Sequence, residues 1–512
     1  MANDVGQSVS VWMKTEKGAG ESALAENTTA DVCIIGAGIA GLTTAYLLGR
    51  AGKRVVVLED KEHVGGGQTE RTTAHLANAI DDRYYEVERL FGEDGARLAA
   101  ESHTRAIDEI ERIVNEEKID CDFARVDGYL FAPPDESKEE LDRELEAAHR
   151  AGLKDVEKVQ RAPVKDFDTG AALRFPRQGQ FHITKYLNGL ERAVKRQGGR
   201  VFTNTHVIEL EGGEQAQVRA RSGYKVTASA IVAATNSPIT ARVAIHSKQA
   251  PYITYSIGAR VPRNSIEKAL YWDTLDPYHY VRLEASDEGE REGYDILIVG
   301  GEDHKTGQAN DGAERYARLE RWARERFPVI ESIEYRWSGQ VMETIDGLAF
   351  IGRSPGEEKL FVATGDSGMG MTHGTIAGML LTDLITGRPN AWEKIYDPSR
   401  VVVGSLGEYA KENLNVAAQY ADLVTGGDVS SVDEIKPGEG AIIRQGLKKI
   451  AAYRDESGAL YERSAICPHL GCVVQWNSTE KTWDCPCHGS RFDARGTVVN
   501  APTLHDLESV SE

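Results

Sequence analysis

The feature that most restricts the fold is a glycine fingerprint near the start of the chain, Gly36-Ala-Gly38-Ile-Ala-Gly41. A short apolar run, residues 31–35, precedes it and reads as a buried parallel strand. A helical pattern follows through Arg50, and a second strand, residues 54–59, ends in Glu59. This is G-x-G-x-x-G in its proper setting. Gly36 permits the tight turn, Gly38 lets the backbone approach a pyrophosphate, and Gly41 lets helix and strand pack closely. The helix then turns its free N–H groups toward phosphate charge. Glu59 is placed to bind ribose hydroxyls. The series specifies a βαβ unit opening an α/β domain that holds a dinucleotide. The motif does not separate FAD from NAD.

At 512 residues the chain has room for about three domains. With 60 basic and 80 acidic residues its net charge is −20, which excludes a general nucleic-acid binder, since phosphate contacts need clustered Lys and Arg. No apolar run is long enough for a membrane span. The first residues carry no apolar signal core, and a cytoplasmic location is expected. Residues 1–28 read as a loosely ordered leader. Residues 29–397 read as one two-part domain, with segments at about 81–150 and 245–330 set apart from the dinucleotide part. Residues 250–300 alternate apolar and polar and predict an antiparallel sheet. Residues 404–425 read as an amphipathic connecting helix with Leu406, Tyr409, Ala410, Leu414, Ala417 and Leu423 as its apolar positions. Residues 426–431 read as a flexible linker, within a connector spanning 398–430. Residues 431–512 form short strands and turns, an all-β module.

A second glycine-rich turn, Thr364-Gly-Asp-Ser-Gly-Met-Gly370, opens a downstream helix. Together with Trp337-Ser-Gly-Gln and residues 346–352 it resembles the C-terminal FAD motif of the D-amino-acid oxidase superfamily, which includes glycine and sarcosine oxidases. The resemblance covers roughly residues 30–397. It implies FAD as cofactor, bound through Gly365, Asp366, Gly370, Met371 and Thr372, with the helix N-terminus stabilising the anionic reduced flavin. It carries further cofactor contacts onto Thr72, Thr73, His75 and Val207. The spacing to His75 is similar to that of dimethylglycine and sarcosine dehydrogenases, whose histidine is covalently attached to the flavin. The flanking residues differ, so covalent attachment and simple packing both stay open.

Four of the six cysteines fall near the C-terminus, in Cys467-Pro-His469-Leu-Gly-Cys472 and Cys485-Pro-Cys487-His488-Gly-Ser490. Such crowding beside histidines reads as a metal site. The pattern resembles the Rieske [2Fe–2S] family, in which two thiolates hold one iron and two imidazoles the other. Cys467 and Cys485 would be the thiolates, and His469 and His488 the imidazoles. The match is to the high-potential type, which implies a disulfide between Cys472 and Cys487. The competing reading is a zinc knuckle. Cys33 and Cys121 read as core residues.

The combined expectation is an α/β two-domain flavoprotein, a Rossmann-like FAD domain plus an antiparallel-sheet substrate domain, with a C-terminal all-β Rieske module. The resemblance implies oxidation of the C–N bond of an amino acid or N-methyl amine, with electrons leaving through the cluster to an external carrier or O₂. The alternatives are a flavin–Rieske reductase using NAD(P)H, and a redox sensor or electron relay. A Rieske oxygenase needs a second iron held by two His and a carboxylate, and no suitable histidine pair is found. Tyr252, Tyr255, Tyr278, His279, Tyr280 and Arg282 are candidates for the substrate face, an Arg being suited to clamp a carboxylate; Arg353 and His373 lie beside the flavin motifs. Catalytic residues and oligomeric state stay open.

Overall fold

The computed structural model describes residues 6–133, 139–213, 215–240, 244–285 and 293–510. The fingerprint strand, Thr28–Ile35, pairs in parallel with Lys225–Ala233 on one side and Val55–Leu58 on the other. Val32, Cys33 and Ile34 are all buried, as a strand covered on both faces requires. Leu360–Thr364 and Arg200–Phe202 extend the parallel stack, and Phe350–Arg353 adds an antiparallel edge. Helices Ile39–Arg50 and Gly370–Thr386 lie against each other. A Cβ on Gly374 would stand 2.6 Å from Ile39 Cγ2, and one on Gly378 2.5 Å from Thr43 Cγ2. Both helices that open at glycine turns therefore meet, and both N-termini face one cavity.

A second, nine-stranded sheet runs Ser332–Thr344, Gln249–Pro262, Tyr294–Lys305, His279–Ala285, Leu270–Asp273, Ala124–Phe131, Ala172–Gln180 and His75–Leu76, with Glu157–Val159 attached beside Ala172–Gln180. It reaches beyond the segments expected from sequence, because Ala172–Gln180 and Ser332–Thr344 join it from outside them. The C-terminal module holds a three-stranded and a four-stranded antiparallel sheet, from Glu439–Gln445 to Val498–Asn500. Among the described residues no helix is long and apolar enough to cross a membrane.

Three expectations about the connections are corrected. The described part of the leader is packed: Trp12 is buried, donates its indole N–H to Thr72 O at 2.7 Å, and lies edge-on to His182. The connecting helix, Leu406–Gln419, is not held by its apolar face. Leu406 and Leu414 are 52% and 71% exposed, while Glu412 is buried and pairs with Lys305 at 2.5 Å. The segment expected as a flexible linker lies along strand Glu439–Gln445. Asp428 N–H donates to Ile442 O at 2.7 Å and Val429 bridges Ile443.

The module is fastened to the rest of the chain by a buried ionic knot. Glu480, from the turn between two module strands, receives Ser8 Oγ at 2.5 Å and Ser338 Oγ at 2.6 Å on one oxygen. Arg71 lies 3.8 Å from its carboxylate and donates to Ser8 Oγ and Ser338 O. Burial acts to raise the Glu480 pKa, yet Arg71, Arg491 and the two serines hold it below the ordinary carboxylate value. Glu480→Ala leaves a buried guanidinium uncompensated, so the expected loss is about 3–5 kcal/mol, read from denaturant unfolding. The group's depressed pKa contributes stability above the unfolded carboxyl pKa and loses it as pH falls through the folded value. The wild-type protein therefore loses stability on acidification over that window more steeply than the variant.

Candidate functional site

One elongated cavity runs between the two sheets and the module. At one end stands the fingerprint. A Cβ on Gly41 would sit 1.9 Å from Gly36 O, and one on Gly38 2.7 Å from Thr69 Oγ1. Neither N-cap residue, Gly38 or Met369, caps its helix with a side chain; Ile39 N–H donates to Thr69 Oγ1 at 3.3 Å, and the other first-turn N–H groups are left for a ligand. Glu59 accepts from Ala37 N–H at 2.7 Å and Lys61 N–H at 3.1 Å. Burial, then neighbouring Asp60, pushes its pKa up to about 8.

Of the sequence-derived cofactor residues, Gly36, Gly38, Glu59, Thr72, Thr73 and His75 line the cavity, as do Val207, Gly365, Asp366, Gly370 and Met371. Gly41 lies beneath, where helix meets strand. The Thr372 hydroxyl turns from the cavity to Met369 O and His103 Nδ1. His75 Nδ1 lies 2.9 Å from Thr73 Oγ1 and Nε2 3.4 Å from Val281 O. The carbonyl can only accept, so Nε2 carries the proton and the Thr73 hydroxyl donates to Nδ1. Burial, then the charge of Arg282, lowers the His75 pKa to about 3 and keeps the ring neutral.

The other end of the cavity differs from expectation. Tyr278 and Tyr280 line it, with Trp272. The remaining candidates, His373 apart, do not. Arg282 is spent on Ala74 O, Phe181 O and Thr73 O and on Glu284. His279 is paired with Asp273 and stacked on Trp322. Tyr255 packs on Tyr316, Tyr252 lies near Lys305, and Arg353 lies over the ring of Phe361 at the surface. His373 does line the cavity, bound through Nδ1 to Asp366 O. Besides Asp60 next to Glu59, three carboxyl groups missed in the sequence also line it: Asp81, Asp303 and Glu343. Burial raises all three, Asp81 to about 7 and Asp303 to about 6; Asp303 adds to the rise at Asp81, and Asp81 and Asp303 add to that at Glu343. Asp303 Oδ1 is buried with no hydrogen-bond partner. Lys61 and Arg71 also line the cavity, but Lys61 binds Asp60 and Val499 O, and Arg71 faces Ser8 and Ser338. Isolated carboxylates, one in a turn and two on separate strands, carry no sequence signal that marks them as a group.

In the module, Cys467 and Cys485 are buried with their thiols in hydrogen-bond contact. N–H groups of His469 and Leu470 and the Ser490 hydroxyl point at Cys467, and those of Cys487 and His488 at Cys485. The rings of His469 and His488 lie 5.0 Å apart, and His488 Nδ1 is buried without a hydrogen-bond partner. Sγ atoms of Cys472, Cys485 and Cys487 fall within 4.8 Å of one another. Cys472 and Cys487 form a disulfide, however, so the thiol pair left for a metal is Cys467 with Cys485. Two thiols, two imidazoles and N–H donors for anionic sulfur fit a mixed Cys/His iron–sulfur cluster.

The module's ligand loops face the cavity's wall. His246, buried at the start of strand Gln249–Pro262, has its ring 4.7 Å from that of His469 and 5.6 Å from that of His488. Three residues on, Gln249 Oε1 accepts from Thr364 Oγ1 at 3.3 Å, beside the second glycine turn. Gln340 donates to Gly489 O at 2.9 Å, receives the Asn500 side chain, and lines the cavity.

The chain matches the family model described as FAD dependent oxidoreductase over residues 31–384 and the Rieske [2Fe-2S] domain model over residues 427–511. It is 34% identical to YhfW of Bacillus subtilis (strain 168), a protein named for a Rieske 2Fe-2S iron-sulfur character, over 95% of this chain and 94% of that one. It is 28% identical to gamma-glutamylputrescine oxidoreductase of Escherichia coli (strain K12), over 71% and 85% of the two chains. The structure of glycine oxidase from Geobacillus kaustophilus superposes with a TM-score of 0.61 at 20% identity, covering 73% of this chain and 99% of that one.

The disulfide closes a loop of sequence separation 15 that contains Cys485, and it ties the loop carrying Cys467 and His469 to the loop carrying Cys485 and His488. The double variant Cys472→Ala/Cys487→Ala is expected to lose about 3 kcal/mol of stability, measured by denaturant unfolding as a lower midpoint with a steeper slope, since the unfolded chain is no longer cross-linked.

Proposed function

As the chain belongs to the FAD dependent oxidoreductase family and carries a C-terminal Rieske [2Fe-2S] domain, we propose that it is a dehydrogenase of amines, oxidising a C–N bond and delivering the electrons to an external acceptor. FAD supplies a two-electron acceptor for hydride and the cluster a one-electron outlet. The observation that carries the reading is the shared wall: His246 and Gln340 touch the cluster loops from the domain that holds the dinucleotide cavity.

The cavity's far end supports an amine over an amino acid. A substrate carboxylate calls for a cation to clamp it, and Arg282, the residue expected there, is consumed by carbonyls and Glu284. Asp81, Asp303 and Glu343 suit a positively charged group instead, and Trp272, Tyr278 and Tyr280 provide aromatic faces for it. An amine arrives as an ammonium and must shed a proton before its lone pair can support loss of hydride. Asp303 Oδ1, buried and without a partner, is the acceptor assigned to that proton. Its pKa, raised to about 6 by burial, is nearer neutrality than an ordinary carboxylate and suits general-base work. The name of the Escherichia coli relative, an oxidoreductase of an amine, is consistent with this reading.

The test is anaerobic mixing of the purified protein with diamines, monoamines, amino acids, NADH and NADPH, following flavin absorbance and the cluster's EPR signal. Amines are expected to bleach the flavin and bring up the reduced-cluster signal, and Asp303→Asn to slow bleaching about 10²-fold or more. Reduction by NAD(P)H alone, or by amino acids and not amines, would contradict the proposal.

A further inference from the structure

The C-terminal module does more than carry a cluster. Val499, Asn500, Thr503 and Leu504 line the same cavity as the glycine fingerprint. They do so where Glu59 stands, the acid that motif logic assigns to the ribose next to adenine. The two residues that follow Glu59 and the segment that crosses it provide the attachment. Lys61 Nζ donates to Val499 O at 2.7 Å, and His206 Nε2 to Leu504 O at 2.9 Å. Farther along the wall the Asn500 side chain binds Gln340, and Gln68 Nε2 reaches Asn500 Oδ1 at 3.5 Å. Outside the cavity Arg221 pairs with Asp506 at 3.0 Å.

The same segment is tied to the cluster. Thr503 N–H donates to Ser490 Oγ at 3.2 Å, and the Ser490 hydroxyl points at Cys467. The order of the cluster loops and the order of the cavity wall are thus mechanically one.

We infer that the Rieske module is a structural part of the FAD site: segment 498–504 closes the adenosine end of the cavity, so that the module retains the flavin as well as receiving its electrons. This holds whatever the substrate is, and it does not depend on the amine reading. Because cofactor and module share a wall, each strengthens the other's hold by the same factor.

The test compares amide hydrogen exchange in the protein as purified, after removal of FAD, and after FAD is added back. Peptides covering residues 496–504 are expected to exchange about tenfold faster without FAD and to recover on its return. Peptides covering Glu439–Arg454, in the module's other sheet, are expected to stay unchanged. Exchange across 496–504 that is the same in all three samples would overturn the proposal. A second readout is the rate of FAD release after dilution, followed by flavin fluorescence. Leu504→Asp is expected to accelerate release about tenfold while the cluster's visible absorption is retained. An unchanged release rate in a variant that keeps its cluster would also overturn it.

Discussion

The placement of both redox sites depends on the buried contact of Glu480 with Arg71, Ser8 and Ser338. Four stretches of chain that are remote in sequence meet there: the N-terminal segment, the turn Thr69–Arg71, the strand Ser332–Thr344, and the module's four-stranded sheet. A buried charge has value only when its partners are fixed around it. None of these groups finds equal partners if the module departs. The knot therefore acts as a selector of one docked arrangement, with Arg491–Asp484 as a second buried pair behind it in the module.

That arrangement has a chemical consequence. The imidazoles that fit a cluster's second iron are turned into the protein, against His246. Gln340 links the Gly489 carbonyl, one residue after His488, to the Asn500 side chain and to the cavity. The connecting helix adds Glu412–Lys305 and Gln308–Asn415 to the same docked state. The connector, read from sequence as a helix and a flexible linker, is thereby held at both ends, by ion pairing on one side and by strand pairing of residues 428–429 on the other.

The parts that were legible in the sequence are those whose chemistry is local. A strand, three glycines, a helix and Glu59 must be neighbours in the chain to form a phosphate turn, so their spacing is the signal. The same is true of the two Cys/His loops. The parts that were not legible depend on tertiary contact. Asp81, Asp303 and Glu343 come from three separate segments and acquire meaning only when the antiparallel sheet brings them together. Arg282 looked available for a substrate because sequence does not show the Thr73, Ala74 and Phe181 carbonyls that consume it. The amphipathic pattern of Leu406–Gln419 was real, but Glu412 with its cation took the buried side. Trp12 was the missed signal in the supposed leader: a large indole in a polar stretch marks a segment with somewhere to pack.

The central claim is that electrons cross a fixed internal boundary between flavin cavity and cluster. The most direct measurement is stopped-flow reduction of the protein by the proposed amine substrate, following cluster reduction after flavin bleaching, at several protein concentrations and solvent viscosities. The account predicts an inter-cofactor rate that is independent of both. A rate that falls as viscosity rises, or that grows with protein concentration, would show a mobile module or transfer between molecules and would contradict it.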